Sequence, residues 1–448
     1  MTASLSDDDL ARVSDFVAER MGLHFPPERW AELRCGLEAA RIEFGFDDAV
    51  NCARWMMSAT LDLGQINVLA SYLTIGETYF FRQKDLFTLL EEQILPSFVS
   101  ARRGKVQRLR LWSVGCCTGE EAYSLAILVH RLIPDLSHWN ITILASDINL
   151  RFLQKAQAGE FREWSFRNAP DWLKERYFSV TGTGQYAIAQ DIRKMVIFSP
   201  LNLVEDTYPS LLNDTNAMDL ILCRNVLMYF APEQAEKVVG KLALALTEGG
   251  WLAVSPCESY CVSTPGLVRC GIPGASLFKK SRTDQERPES VLSAAPVSAA
   301  KPPGTSEGER PPCLPGNEYE SMAQELANQG KLEEALTWCG QALAANPLDP
   351  TCHYLRAVIL SEQGNVAEAA RAYHRCIFIA PDFVLAHFAM GNTVRQQQKH
   401  HDACRHYGNA LRLLRQCEPE DIVPHSEGLT AGRLTDMIAS LMEVETQS

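Results

Sequence analysis

Apolar side chains recur three and four positions apart through the first 75 residues. Leu10, Val13, Phe16 and Val17 form one such face, Trp30, Leu33, Leu37 and Ile42 a second, and Cys52, Trp55 and Met56 a third. Residues so spaced stack on one side of a helix. A start signal precedes each face. Ser6 with Asp9 three residues on has capping-box spacing, Pro26-Pro27 opens the second helix, Asp47-Asp48 the third and Asp62 a fourth. Few glycines or alternating stretches interrupt this block. Residues 1–75 are therefore expected to form an N-terminal helical domain, a small bundle.

Further on the pattern changes. Short apolar runs, Leu109–Trp112, Ile141–Ala145, Met218–Cys223, Trp251–Val254 and Ala275–Lys280, read as strands. Helical stretches separate them: one after Gly119, one from Asn149 to about Ala158, and one from Pro232-Glu233 that Gly249-Gly250 would cap. Strands alternating with helices predict an α/β unit over 76–282 with a mostly parallel, Rossmann-like sheet. Within it, Arg176–Val180, a Thr181–Gly184 turn, Tyr186–Ile188 and Met195–Phe198 predict a small antiparallel β insertion at about 176–198. Residues 283–316 are rich in Pro, Ser, Ala and Gly and read as a flexible linker.

After the linker, landmarks repeat. Gly330 and Gly364, Ala335 and Ala369, and Pro347 and Pro381 are each 34 residues apart, and Gly391, Ala403 and Ala410 mark a third copy. This resembles the tetratricopeptide repeat, a helix-turn-helix unit of that length. It implies an all-α array of three repeats over 317–416, which would bind a protein partner. The remaining tail, 417–448, carries an amphipathic stretch, Leu429–Val444, expected to cap the array.

Composition narrows the partners. The 448 residues carry a net charge of −13, which disfavours nucleic-acid binding and anionic membranes. The one basic run, Arg102, Arg103, Lys105, Arg108 and Arg110, reads as a solvated loop before a strand. The start, MTASLSDDDL, has no signal-peptide pattern, and no apolar run reaches the ~18 residues of a membrane span. The fourteen cysteines are scattered without CxxC units, so reduced thiols in a cytoplasm are expected, with no disulfide frame and no metal cage.

The chemistry centres on LWSVGCCTGEEAYSLA, residues 111–126. A strand, a turn bracketed by Gly115 and Gly119, and a helix make the local shape of a nucleotide-type site. Neither phosphate-binding glycine motif is present, and Glu120 and Glu121 would repel a pyrophosphate. Carboxylates suit a cationic, hydroxyl-rich ligand such as S-adenosylmethionine, although an ordinary acidic βα turn has the same look. Asp147 ends the second strand, where such folds hold a ribose, and it equally fits a helix cap. Arg224-Asn225 ends a later strand. In GETYFFRQKDLF, residues 76–87, Arg82 sits in an aromatic bed and could grip a carboxylate; the same aromatics could simply join two domains.

TYFFR at 78–82, WSVGCCTGEEAYSLA at 112–126, ASDIN at 145–149 and DLILCRNVLMYF at 219–230 together resemble the CheR-type chemoreceptor methyltransferases, over residues 5 to 281. The resemblance implies a class I methyltransferase sheet and transfer of a methyl group from S-adenosylmethionine to glutamate side chains of a methyl-accepting receptor, leaving S-adenosylhomocysteine. Carried across on matching positions, it implies that Thr78 and Arg82 line the cofactor site, that Glu121 and Asp147 hold polar groups of the cofactor, and that Asn202 and Leu203 flank the adenine. Arg224 and Asn225 would meet the methionyl part, and Arg82 and Tyr229 would stand beside the transferred methyl. The family includes repeat-bearing variants, among them the Wsp-type enzymes of surface-sensing pathways.

Three departures qualify the resemblance. Gly76 replaces a cofactor-contacting Asn. Ser255-Pro256-Cys257-Glu258 replaces Gly-His-Ser-Glu. The loop after the Thr181–Gly184 turn is short, which implies independence from a receptor's C-terminal pentapeptide. Arg29, Arg34 and Arg41 are the basic residues of an otherwise acidic helical domain that could meet a receptor. Receptor recruitment would bring a cytoplasmic enzyme to membrane arrays. The competing expectation is a repeat-based scaffold with an idle methyltransferase domain.

Overall fold

The computed structural model describes residues 5–59, 61–182, 184–211, 213–271, 275–281, 316–397, 399–426 and 428–446. The expected linker lies outside them apart from its last residue, Gly316, which begins a helix. Four helices open the chain: α1 (Asp7–Met21), α2 (Trp30–Glu43), α3 (Ala49–Ser58) and α4 (Leu63–Leu73). The expected capping box forms at Ser6, Asp48 caps α3, and Asp62 with Gln65 makes a second box. Two helices then lead to the sheet, α5 (Lys84–Leu89) and, through a wider π turn, α6 (Leu95–Arg102).

The sheet unit runs β1 (Arg108–Val114), α7 (Glu120–Leu132), β2 (Asn140–Asp147), α8 (Leu150–Ala158), β3 (Glu160–Phe161), α9 (Trp172–Tyr177), β4 (Phe178–Val180), β5 (Tyr186–Ile188), α10 (Gln190–Arg193), β6 (Val196–Pro200), β7 (Met218–Cys223), α11 (Pro232–Ala245), β8 (Leu246–Val254), β9 (Leu267–Cys270) and β10 (Ser276–Lys280). Seven strands pair in the order β6-β2-β1-β7-β8-β10-β9. The first five are parallel and β10 is antiparallel to both neighbours. Alternation along β1 sends Leu109 and Leu111 into one buried cluster with α7, and Trp112 and Val114 into another with α11. The order reverses direction at β1, which places the ligand crevice at the carboxyl ends of β1, β2 and β7.

The β insertion differs from the expectation in one strand. Met195–Phe198 does not pair with Tyr186–Ile188. Its residues lie in β6, the parallel edge of the main sheet, in register with β2. The third strand of the insertion is the two-residue β3, giving the order β3-β5-β4. A short apolar run fits either partner, and only the sheet decides. Gly249-Gly250 likewise does not cap α11 but lies inside β8, beside an irregularity in its pairing with β7.

The C-terminal part is all helix: α12 (Gly316–Asn328), α13 (Leu332–Ala345), α14 (Pro350–Glu362), α15 (Val366–Ile379), α16 (Val384–Gln396), α17 (His400–Leu414) and α18 (Ala431–Thr446). The 34-residue period shows in detail. His353 and His387 each place Nε2 on the carbonyl of Pro347 or Pro381, at 2.9 and 3.1 Å. Gly330 and Gly364 take φ of +77° and +78° in the turns inside the first two hairpins.

Those turns rest on the sheet unit. A Cβ on Gly330 would lie 3.2 Å from the Ala217 Cβ, and one on Gly364 3.5 Å from the Asn140 amide. The basic run is therefore solvated only at Arg103 and Lys105. Arg110 donates to both carboxylate oxygens of Glu362 at 2.9 and 2.8 Å, Arg108 adds a bond at 2.6 Å, and all three side chains are largely buried. Arg102 pairs with Asp219 at 2.6 Å. Periodicity hid this because Glu362 lies about 250 residues away. Leu211 packs against Tyr354, Leu355 and Val358 on the face that α12 and α14 form, and Arg433 of α18 pairs with Asp206.

Removing one partner of a buried ion pair leaves an uncompensated charge, at a cost of about 3–5 kcal/mol. Glu362→Ala is expected to lower the calorimetric unfolding midpoint of the full chain by several degrees. An unchanged midpoint would show that the array does not seat on β1.

Candidate active site

The turn after β1 is built by close approach. Gly115 takes φ +65°, and a Cβ there would stand 2.4 Å from Val226 Cγ2. Gly119 takes φ +92° at the start of α7, where a Cβ would be 2.9 Å from the Ala156 Cβ. Between them Cys117 is forced to φ +52°. That conformation aims its N–H at Asp147 Oδ2, 2.8 Å away. The vicinal thiols are chemically quiet: burial raises the Cys116 thiol well above its usual range and pushes Cys117 up to about 12.

Asp147 is not the cap of α8. Asn149 is, its Oδ1 accepting from the N–H groups of Arg151 and Phe152 at 3.0 and 3.3 Å. Asp147 Oδ1 accepts from the Asn149 N–H at 2.8 Å. Burial pushes the Asp147 carboxyl up to about 6, against the pull of these backbone donors. A buried carboxylate with two donors keeps acceptor capacity for hydroxyl groups.

Asp147 lines a cleft together with Asn202, Leu203, Asn225 and Tyr229, so five of the anticipated residues converge. The walls are apolar, including Ile148, Phe152, Leu201 and Phe230, and the end of α1 with the chain after it adds Met21, Leu23, Phe25 and Arg29. Asn202 is already committed. Its Nδ2 donates to the Arg20 carbonyl at 2.8 Å and its Oδ1 accepts from the Val204 N–H at 3.1 Å, which ties the adjacent loop to α1.

Glu121 and Arg224 do not line this cleft. They form a buried pair at 2.8 Å, with Ser113 Oγ donating to Glu121 at 2.7 Å. Burial raises the Glu121 carboxyl, with Arg224 opposing. Arg224 also donates to the Arg82 carbonyl at 2.7 Å and to Gln83 at 3.1 Å, and so anchors the 80–83 loop. Phe81 and Gln83 in that loop take φ of +55° and +68°. Arg82 is half-buried. Its Nη1 donates to the Glu77 carbonyl at 2.7 Å, and its guanidinium lies 5.6 Å from the Tyr79 ring. Its charge reaches both Glu121 and Tyr229. Burial raises the Tyr229 hydroxyl, so it stays a proton donor at neutral pH. Thr78 is half-buried and its carbonyl accepts from Arg167 at 3.4 Å. Gly76 is exposed, and a Cβ there would meet the Phe152 ring at 2.5 Å, so an Asn would have to displace a wall of the cleft.

Two carboxylates now acquire roles. Glu120 is buried, accepting from Thr118 Oγ1 at 2.7 Å and Ser165 Oγ at 2.8 Å. Glu258 is fully buried and gathers the N–H groups of Asn225, Val226, Met228 and Ser255 at 2.8, 2.7, 3.2 and 3.0 Å. It thereby holds Asn225 at φ +58° and sets the segment leading to Tyr229. The signal was readable: Ser255 and Glu258 have capping-box spacing and form that box. Among the described residues no cluster of His, Cys, Asp or Glu could hold a metal.

Comparison with known proteins finds methyltransferase relatives. The profile of the CheR methyltransferase SAM-binding domain matches residues 76–265. A Pseudomonas aeruginosa protein described as a probable biofilm formation methyltransferase, WspC, is 29% identical over 352 residues, 73% of this chain and 81% of its own. Chemotaxis protein methyltransferase 2 of Vibrio cholerae is 32% identical over 259 residues, 57% of this chain and 86% of its own. Among solved structures, the first TPR of Spaghetti (RPAP3) with an HSP90 peptide overlays 29% of this chain and 93% of its own at 20% identity and a TM-score of 0.23, too slight an overlap to build on.

Two outcomes are expected. A ribose binds the ionised form of Asp147, so affinity for S-adenosylhomocysteine falls as pH drops through about 6, approaching tenfold per unit. Calorimetry from pH 5 to 8 checks this, and Asp147→Asn should flatten that step. Glu258→Gln turns an NH2 donor onto backbone N–H groups. Misplacing the Asn225–Tyr229 segment by about 1 Å would lower the methylation rate on the order of 10²-fold. A rate within twofold of the parent would show that the segment holds itself.

Proposed function

This chain belongs to the CheR methyltransferase family, and from that premise we propose that it esterifies glutamate side chains of a chemoreceptor-like, methyl-accepting protein. It is an S-adenosylmethionine-dependent protein-glutamate methyltransferase. The observation that carries the substrate reading is the cleft that Asp147 shares with Asn202, Leu203, Asn225 and Tyr229, with the Arg82 charge close enough to act on Tyr229. The cleft also fits the cofactor. Its acidic group sits at the end of β2, its glycine turn has no room for a side chain, and its walls are apolar.

When bound, S-adenosylmethionine supplies an electrophilic methyl group on a sulfonium centre. The protein's own task is alignment. A glutamate carboxylate is ionised at neutral pH, so no general base is needed. Arg82 offers a forked donor to that carboxylate and Tyr229 an O–H donor, which orients it without removing its charge. Asp147 takes the ribose hydroxyls, and Leu203 beside Asn202 flanks the adenine. Asn225 faces the methionyl part. Glu121 and Arg224 fix the turn and the Arg82 loop from behind, while Thr78 and Gly76 border the mouth. Apolar walls keep water from competing with the carboxylate.

Several finer points belong to the same reading. The substrate receptor is recognised without a C-terminal pentapeptide. The enzyme works in the cytoplasm at receptor arrays; among the described residues no helix is long and apolar enough to cross a membrane. The helical array takes a protein partner, on surface beyond the face that already holds Leu211.

Incubation with methyl-labelled S-adenosylmethionine and the cytoplasmic segments of candidate receptors should give base-labile methyl esters. Arg82→Ala should abolish them while leaving S-adenosylhomocysteine binding measurable. Label that survives base would sink this reading, and no S-adenosylhomocysteine binding by the parent would favour a scaffold.

A further inference from the structure

A row of rings and cations leads away from Arg82 and is not used by the reaction. The Arg167 guanidinium is sandwiched between Tyr79 and Trp164, 3.9 and 4.5 Å from the two ring centroids, and Arg82 approaches the same Tyr79 ring at 5.6 Å. Arg167 Nη1 donates to the Trp164 carbonyl at 3.0 Å and Nη2 pairs with Glu77 at 3.1 Å. Trp164 is 70% exposed, which is costly for an indole and contributes little to the core. Yet it is firmly mounted. It lies on the short turn Glu163–Phe166, where Ser165 is held by Glu120 and the Ser165 carbonyl accepts from the Phe80 N–H at 2.9 Å. Phe166 stacks on Phe80 at 5.0 Å. The turn is thus fixed relative to the loop that positions Arg82.

The charge here opposes that of the whole chain. Arg82, Arg162, Arg167 and Lys174 stand along this row with Glu77 and Glu163, which pair with Arg167 and Lys174, and with Glu120 buried beneath Ser165, so cations outnumber acids four to three on a protein of net charge −13. Exposed Trp and Arg side chains on a rigid support are the residue types that dominate binding energy at interfaces. Resting on the function proposed above, we propose that Tyr79, Arg167 and Trp164 form the docking surface for the substrate segment. Its occupant is an acidic amphipathic helix carrying the target glutamate. The helix sets an apolar side chain on the Trp164 indole and flanking carboxylates near Arg162 and Arg167, and presents one glutamate to Arg82.

The test uses the full chain and a receptor helical hairpin that the parent methylates. Trp164→Ala should raise KM for the hairpin about tenfold or more and leave kcat and S-adenosylhomocysteine affinity unchanged, with Trp164→Phe recovering part of the loss. Arg162→Glu, on the same exposed turn, should raise KM several-fold at low salt, with the difference shrinking as salt screens it. Unchanged KM in both variants overturns the proposal, as does a fall in kcat with KM unmoved. A parent that binds S-adenosylhomocysteine but esterifies no receptor hairpin would instead fail the function reading, so the two failures are distinguishable.

Discussion

Burying a carboxylate is costly unless donors surround it, and the carboxyl edge of this sheet buries four. Asp147 is held by the N–H groups of Cys117 and Asn149, and Glu121 by Ser113 and Arg224. Glu120 is held by Thr118 and Ser165, and Glu258 by four backbone N–H groups. Each requirement for donors becomes a tie between two segments. The glycine turn is thereby fixed to β2, the loop after β7 to the turn after β8, and the Arg82 loop to both through Arg224. The site is rigid because satisfying these acids leaves its loops few alternatives.

The strand β1 links that edge to the rest of the molecule. Its last residue runs into Gly115 and the cleft. At its other end Arg108 and Arg110 take Glu362 from the helical array. The repeat helices therefore seat on the amino edge of the sheet, opposite the crevice, while α18 reaches round to Asp206, which accepts from the Asn202 N–H. The N-terminal helices do the reverse: the chain between α1 and α2 walls the cleft, and Asn202 is bonded to the end of α1. The cleft thus falls between the helical domain and the sheet, while the repeats support the sheet from the far side.

Local signals were legible in the sequence. Capping residues at Ser6, Asp48 and Asp62, the period of 34 and the strand–glycine–helix turn at 109–126 are set by neighbours a few residues apart. Ambiguity began where a pattern fits two partners. Met195–Phe198 has the same apolar character whether it pairs with a hairpin or with a parallel sheet, and the room beside β2 decided it. The basic run looked solvated because its acid comes from a repeat far along the chain. Asp147 could have been a cap until Asn149 took that position.

Sequence by itself determined the N-terminal helices, the repeat period and the central strands, and which residue types could serve a sulfonium nucleoside and a carboxylate. Those follow from backbone propensity, periodicity and side-chain chemistry, which act at short range. Only the tertiary structure decided which of those residues face the cleft and which stand behind it. Asp147, Asn225 and Tyr229 line it, whereas Glu121 and Arg224 neutralise one another in the interior. The reason is that desolvation and ion pairing depend on distances between residues about a hundred positions apart, and these exist only once the sheet has formed.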